Sequence, residues 1–184
     1  MNEWNGGRNG EIVKRLVFVN GTMGVGKTET CRHLKMLLTP SVFLDGDWCW
    51  DMEPFVVNDD TKSMVIDNIS HLLNAFLACS GFENVVFCWV MHERSIVDEI
   101  LKRIDSSRYD KFFLFTLVAS EEALNARLRK DIADGKRKTD VIDRSLERAT
   151  HYRFMNSIKV DVTDITAEEA ARRIVNAVNG GETV

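Results

Sequence analysis

The chain has 184 residues, is 45% hydrophobic and 28% charged, and carries 24 basic and 28 acidic side chains for a formal net charge of -4. That length and balance fit one globular domain, and the acidic excess argues against a nucleic-acid polymer as partner held by bulk electrostatics. No apolar run reaches membrane-span length, the polar N-terminus has no signal-peptide core, and Cys31, Cys49, Cys79 and Cys88 show no metal spacing; buried free thiols in a cytoplasmic protein away from membranes are expected.

Residues 1–10, with Asn5-Gly6-Gly7 and Asn9-Gly10, read as a loose polar arm before a single domain over 11–180. Arg15 to Asn20 is an apolar, β-branched and aromatic run, so a first strand is expected there. It feeds Gly21-Thr22-Met23-Gly24-Val25-Gly26-Lys27-Thr28, which fits G-x-x-x-x-G-K-[ST] between a strand and a helix. Glycines let backbone N–H groups turn inward around a phosphate, and the following helix adds the positive end of its dipole. Lys27 supplies a mobile charge for the β- and γ-phosphates, and the Thr28 hydroxyl is a ligand for Mg²⁺. This stretch predicts a site for a nucleoside triphosphate.

The first helix carries Cys31, Leu34, Leu37 and Leu38 on one side and is stopped by Pro40. Ser41 to Leu44 is a short second strand running into Asp45-Gly46-Asp47-Trp48-Cys49-Trp50-Asp51. If that strand continues, residues two apart face the same way, and both carboxylates of Asp45-x-Asp47 point at one place. A turn in which the two aspartates only cap the local backbone is the alternative. Trp48 and Trp50 flank Asp47, either as stacking surfaces for a ligand ring or as core.

A long amphipathic helix is expected over about Asp60 to Ser80, with Val65, Ile69, Leu72, Leu73, Phe76 and Leu77 inward and Gly81 closing it. Val85 to Val90 is an unbroken apolar run, as a strand covered on both faces should be. Arg94, just beyond it, is a candidate clamp for an anionic group. Ile96, Val97, Ile100, Leu101 and Ile104 mark the next helical face, and Phe112 to Val118 a fourth strand. Ser120 caps a helix with Leu124, Leu128 and Ile132 inward. After a charged break at Asp134 to Asp140, a further helix spans about Asp140 to Arg153, Ser157 to Val162 is a last strand, and Thr166 and Glu169 box the start of a final helix. Strands alternating with helices predict a three-layer α/β/α domain around a five-stranded, mostly parallel sheet, with ligands at the carboxyl ends of the strands.

These residues carry a family resemblance. The chain resembles the small phosphate-loop kinases of the nucleoside-monophosphate-kinase fold, and within them the shikimate, gluconate and chloramphenicol phosphotransferase branch. The resemblance implies an ATP- and Mg²⁺-dependent phosphotransferase acting on a small hydroxyl-bearing acceptor. It assigns Asp45 to the water shell of Mg²⁺ and Asp47 to the acceptor hydroxyl as a base. It also implies arginines that close over the phosphates, for which Arg127, Arg129, Lys136, Arg137 and Lys138 are the candidates, with a lid near 134–140. The loop after the last strand, with Thr163 and Asp164, would cradle the adenine, although Ala167 stands where the family usually has proline. A nucleotide kinase is the runner-up, but it needs several arginines for a phosphate acceptor and only Arg94 stands out. A nucleotide switch or hydrolase would carry a carboxylate at the end of a strand beside the phosphate-loop strand. The third strand ends Trp89-Val90-Met91 and the fourth Val118-Ala119-Ser120, with none. Oligomeric state has no signature in the chain.

Overall fold

A computed structural model describes residues 13–180; the arm expected at 1–10 lies outside the described residues. The elements run β1 (Arg15–Asn20), α1 (Lys27–Leu37), β2 (Ser41–Asp45), a 3₁₀ turn over Gly46–Trp50, α2 (Asp59–Ala78), β3 (Asn84–Cys88) and α3 (Arg94–Lys102). A short 3₁₀ turn precedes β4 (Lys111–Val118), followed by α4 (Glu121–Ala133), α5 (Val141–Phe154), β5 (Ile158–Asp161) and α6 (Ala167–Gly180). The five strands lie in the order β2-β3-β1-β4-β5, and every pairing is parallel.

Alternation along the strands builds the two halves of the core. Val17 and Val19 face one side with Val86, Cys88, Phe113 and Phe115, where Cys31 and Leu34 of α1 and Ile174 of α6 cover them. Leu16 and Phe18 face the other side with Val85, Phe87 and Leu114, under Val65, Ile69 and Leu73 of α2 and Val97 and Ile100 of α3. Because the side-chain period in a strand is two, both faces of β1 must be apolar, and every residue of Leu16–Val19 is fully buried. The result is the expected α/β/α sandwich.

Several boundaries differ from the sequence expectation. Helix α2 ends at Ala78 with Cys79 in an extended conformation, so Gly81 lies beyond the helix rather than closing it. Leu37 falls off the buried stripe of α1 and is exposed, while Cys31, Leu34 and Leu38 are buried. Strand β3 stops at Cys88, and Trp89 and Val90 leave the sheet. The caps behave as expected. The Ser120 hydroxyl accepts from the Ala123 N–H at 3.2 Å, and Thr166 and Glu169 exchange their bonds across the start of α6.

Candidate active site

All five strands point their carboxyl ends at one rim, where β1 delivers the glycine loop. Gly21, Gly24 and Gly26 adopt positive φ angles of 143°, 78° and 106°. Gly24 is doubly constrained: a Cβ there would sit 2.4 Å from Leu128 Cδ2 of α4, closer than any carbon can approach. Gly26 stands at the N-cap of α1 and no side chain caps that end, which leaves the first-turn N–H groups aimed at the rim. Lys27 folds over the loop and donates to the carbonyls of Gly21 and Thr22 at 2.9 and 3.0 Å. Enclosure pushes its pKa down, against the pull of nearby negative groups that include Asp47 and Asp45.

The loop is braced from two sides. At its start, the buried Asn20 accepts from the N–H groups of Gly21 and Met91 at 2.8 and 2.9 Å and donates to the Met91 carbonyl at 2.7 Å. That pins the end of β1 to the chain leaving β3. On the other side, the Thr22 hydroxyl donates to the Ser145 carbonyl of α5 at 2.7 Å, and the Ser145 hydroxyl donates to the Met23 carbonyl at 2.7 Å. Val25 is buried beneath the loop.

The aspartates take different positions from those an extended strand would give. Asp45 ends β2, but Asp47 lies in the 3₁₀ turn, and Asp45 accepts from the Asp47 N–H at 3.1 Å. Local capping is therefore present, while the charges of both aspartates act on Lys27. The other Asp45 oxygen accepts from the Thr28 hydroxyl at 2.6 Å, which brings together the two groups assigned to Mg²⁺. Gly46 permits this turn because a Cβ there would lie 2.5 Å from Trp89 Cγ. Asp47 faces a cavity and accepts from Trp89 Nε1 at 3.1 Å. Partial burial and then the Asp45 charge raise its pKa, while Lys27, the Trp89 bond and Arg137 oppose the rise.

That cavity has a volume of about 610 Å³, within the usual range for small-molecule sites. Trp50, Phe55 and Trp89 form an aromatic wall, with Trp50 ring centroids 5.9 Å from both Phe55 and Trp89. Met23 lines it from the glycine loop, Arg137 from the 134–140 segment, and Arg144 and Arg148 from α5. Arg137 belonged to the expected set; Trp89, Arg144 and Arg148 did not. A signal for the last two was present: spaced i and i+4, they flank the stripe of Val141, Ser145 and Tyr152 that α5 buries. His92 also lines the cavity, its pKa pushed down first by burial and then by the Arg148 charge.

The remaining expected residues divide. Arg127 crosses under the loop and donates to the carbonyls of Val25 at 3.3 Å, of Thr163 at 3.2 Å, and of Val162. Beside it a recess of about 180 Å³ is lined by Val25, Gly26, Thr30, Ile165, Thr166 and Ala167. Thr163 is tied to Ser120 and Asp161 and Asp164 is exposed; neither lines the recess, which is shaped by the next three residues instead. Trp48 is 56% exposed, with its ring against Phe43, and lines a separate groove. Arg94 is paired with Asp98 at 2.8 Å and is outside the cavity lining. Arg129 and Lys138 are exposed, and Lys136 pairs with Asp134 at 3.0 Å. Among the described residues no cluster of three or more metal-ligating side chains occurs, and no helix is long and apolar enough to cross a membrane.

A sequence profile of the AAA domain matches residues 17–153. No curated protein sequence matches the chain. Among solved structures, the tunicamycin resistance protein of Deinococcus radiodurans is 21% identical over 92% of this chain and 97% of its own, with a TM-score of 0.64. A shikimate kinase from Acinetobacter baumannii, in complex with shikimate, is 18% identical over 92% and 95%, with a TM-score of 0.62. A gluconokinase from Sinorhizobium meliloti is 16% identical over 93% and 98%, with a TM-score of 0.61. At these identities the likeness is one of fold, and two of the three come from the group that the sequence motifs resemble.

Proposed function

The chain belongs to the AAA-domain family of its matching profile, and from that premise we propose that it is a phosphate-loop kinase transferring the γ-phosphoryl group of ATP to the hydroxyl of a small molecule. The observation that carries the proposal is the placement of Asp47 on a ligand-sized cavity that opens beside Lys27 and the glycine loop. In this reading the loop N–H groups and Lys27 hold the triphosphate. Arg127 and the recess around Ile165, Thr166 and Ala167 receive the base, with Thr163 and Asp164 acting at most through the backbone they set.

The hydroxyl of Thr28 and the carboxylate of Asp45 suit a hard cation with oxygen ligands. Mg²⁺, when bound, would be held by Thr28 directly and by Asp45 through water, and would neutralise charge on the phosphate oxygens. Asp47 accepts the proton of the acceptor hydroxyl as that oxygen bonds to the γ-phosphorus and ADP departs. Its raised pKa brings it nearer to that task than an ordinary aspartate. Arg137, whose charge is felt at both Lys27 and Asp47, closes with the 134–140 segment over the transferring group. Arg129, Lys136 and Lys138 contribute to the same lid only if it moves from its present position. Trp50 offers a face to the acceptor; Trp48 and Arg94 have no part in this reading.

One observation favours a second reading. Arg137, Arg144 and Arg148 gather on the wall of the same cavity, and a phosphate acceptor, as in a nucleotide kinase, would use such a cluster. A thermal-shift screen of sugars, nucleosides, nucleotides and hydroxyl-bearing antibiotics, with a non-hydrolysable ATP analogue present, separates the two. The first reading expects a hydroxyl compound that raises the melting temperature and is then phosphorylated with ATP. Stabilisation by nucleoside monophosphates alone would favour the second, and ATP turnover indifferent to every acceptor would sink both.

A further inference from the structure

Asp47 is held from two sides. On the backbone side, Asp45 accepts from the Asp47 N–H at 3.1 Å and from the Thr28 hydroxyl at 2.6 Å, which ties the turn to the start of α1. Those bonds fix the main chain and leave the Asp47 carboxylate its own rotation. On the side-chain side, Trp89 Nε1 donates to Asp47 Oδ1 at 3.1 Å. Among the described residues Oδ2 accepts no hydrogen bond, so it is available to a bound hydroxyl.

Trp89 is itself immobilised. It is buried, and its ring lies so close over Gly46 that a Cβ there would sit 2.5 Å from Cγ, 2.7 Å from Cδ1 and 2.9 Å from the Trp89 Cβ. Two residues further on, Asn20 accepts from the Met91 N–H at 2.9 Å and donates to the Met91 carbonyl at 2.7 Å, while the same Asn20 oxygen accepts from the Gly21 N–H at 2.8 Å. A line of contacts therefore runs from the glycine loop through Asn20, Met91 and Trp89 to Asp47. An indole N–H is a donor only, and its bond to an ionised acceptor is stronger than one to a neutral group. Trp50 shows the neutral case: its Nε1 donates to the Val56 carbonyl at 3.4 Å, a bond that holds a loop.

Resting on the kinase reading above, we propose that Trp89 is a positioning residue for phosphoryl transfer: its ring holds the Gly46 turn and its N–H holds Oδ1 of Asp47, which leaves Oδ2 to take the proton of the acceptor hydroxyl. The same bond bears on the charge of Asp47. Burial and then the Asp45 carboxylate push the Asp47 pKa up, and Lys27, the Trp89 bond and Arg137 pull against them. A donor to the carboxylate favours its charged form, so losing the N–H alone raises that pKa further.

Trp89→Phe separates the two roles, because it keeps a ring over Gly46 and deletes the N–H. Carboxyl-carbon and indole-nitrogen NMR of the isotope-labelled full chain reads the bond directly, each signal being assigned by its loss in Asp47→Asn or in Trp89→Phe. In the parent, the Trp89 indole signal should move with pH along the curve of the Asp47 carboxyl, and Asp47→Asn should abolish that movement. His92 lines the same cavity and also titrates, so a movement that survives Asp47→Asn belongs to it and counts against the bond. In Trp89→Phe the Asp47 carboxyl should titrate at higher pH than in the parent. With the hydroxyl acceptor found in the thermal-shift screen, kcat of Trp89→Phe should fall about ten- to a hundredfold. The acid limb of its pH profile should move up, and KM for ATP should stay at the parent's value. An Asp47 titration unchanged by Trp89→Phe, or a kcat loss with the acid limb unmoved, would overturn the proposal. So would loss of ATP-analogue binding in Trp89→Phe, which makes Trp89 a packing residue only. Those outcomes leave the kinase reading standing. A parent chain that phosphorylates no hydroxyl compound with ATP removes that reading and this proposal with it.

Discussion

The glycine loop and the cavity beside it are made by opposite means. The loop is backbone: three glycines at positive φ, an uncapped helix start, and polar groups that already bond one another through Asn20, Thr22 and Ser145. The cavity is lined largely by side chains drawn from the 3₁₀ turn, the segment after it, α2, the chain leaving β3, α3, the 134–140 segment and α5. A backbone cradle recognises what every nucleoside triphosphate shares, so it has little freedom to vary. A side-chain wall can be re-lined residue by residue without disturbing the sheet. On the proposed kinase reading, the phosphoryl donor would be set by the fold and the acceptor by this chain's own side chains.

The comparison breaks most sharply at Asp47. Asp47→Asn keeps the shape and an acceptor for Trp89, but removes the base. Loss of a general base lowers turnover about 10²- to 10⁴-fold, so steady-state kinetics with the identified acceptor should show a fall of that order. Turnover like the parent's would dismiss Asp47 as base and favour a phosphate acceptor, which needs no proton removed.

A smaller effect is expected on the loop side, where shape matters more than charge. Gly24→Ala places a methyl group 2.4 Å from Leu128 Cδ2 on a residue with φ of 78°. Overpacking of this kind destabilises by about 1–3 kcal/mol, measurable as a lower urea midpoint at unchanged slope. A comparable substitution on the cavity wall, Val57→Ala, should shift the midpoint far less, since Val57 is exposed.

The mildest effect concerns pH. The folded-state pKa of Asp47 is raised, so folding favours its neutral form. Its contribution is fully favourable below the unfolded aspartate pKa of about 3.9 and is lost as the pH rises through the higher folded value. Asp47→Asn should therefore be slightly more stable than the parent at neutral pH, and the difference should vanish on acidification below that range. Melting curves across pH test this. A variant less stable than the parent at neutral pH would mean that Asp47 is structural.

Legibility followed the same divide. The loop is contiguous, so its spacing between a strand and a helix announces it, and the alternation of Leu16 to Val19 announces a central strand. The caps at Ser120 and Thr166 are local and were equally readable. The cavity was not. Asp45 and Asp47 stood out as a pair, but the turn that separates their directions depends on Trp89 packing over Gly46. That contact joins the chain just after β2 to the chain just after β3, across the whole of α2. Arg144 and Arg148 look like a solvated helix flank until Ser145 docks α5 on the loop. Arg94 looked like the better clamp because it follows a strand, yet its i, i+4 partner Asp98 holds it outside.

The account rests on a nucleotide site and an acceptor site that share a rim but can be disabled separately. Calorimetric titration of a non-hydrolysable ATP analogue into the parent, Lys27→Ala and Asp47→Asn tests that most directly. Removing the charged donor should weaken binding by about tenfold or more, so Lys27→Ala should lose nucleotide affinity by that margin while Asp47→Asn keeps the parent's. Equal affinities in all three proteins, or a loss in Asp47→Asn as large as in Lys27→Ala, would contradict the division on which the account depends.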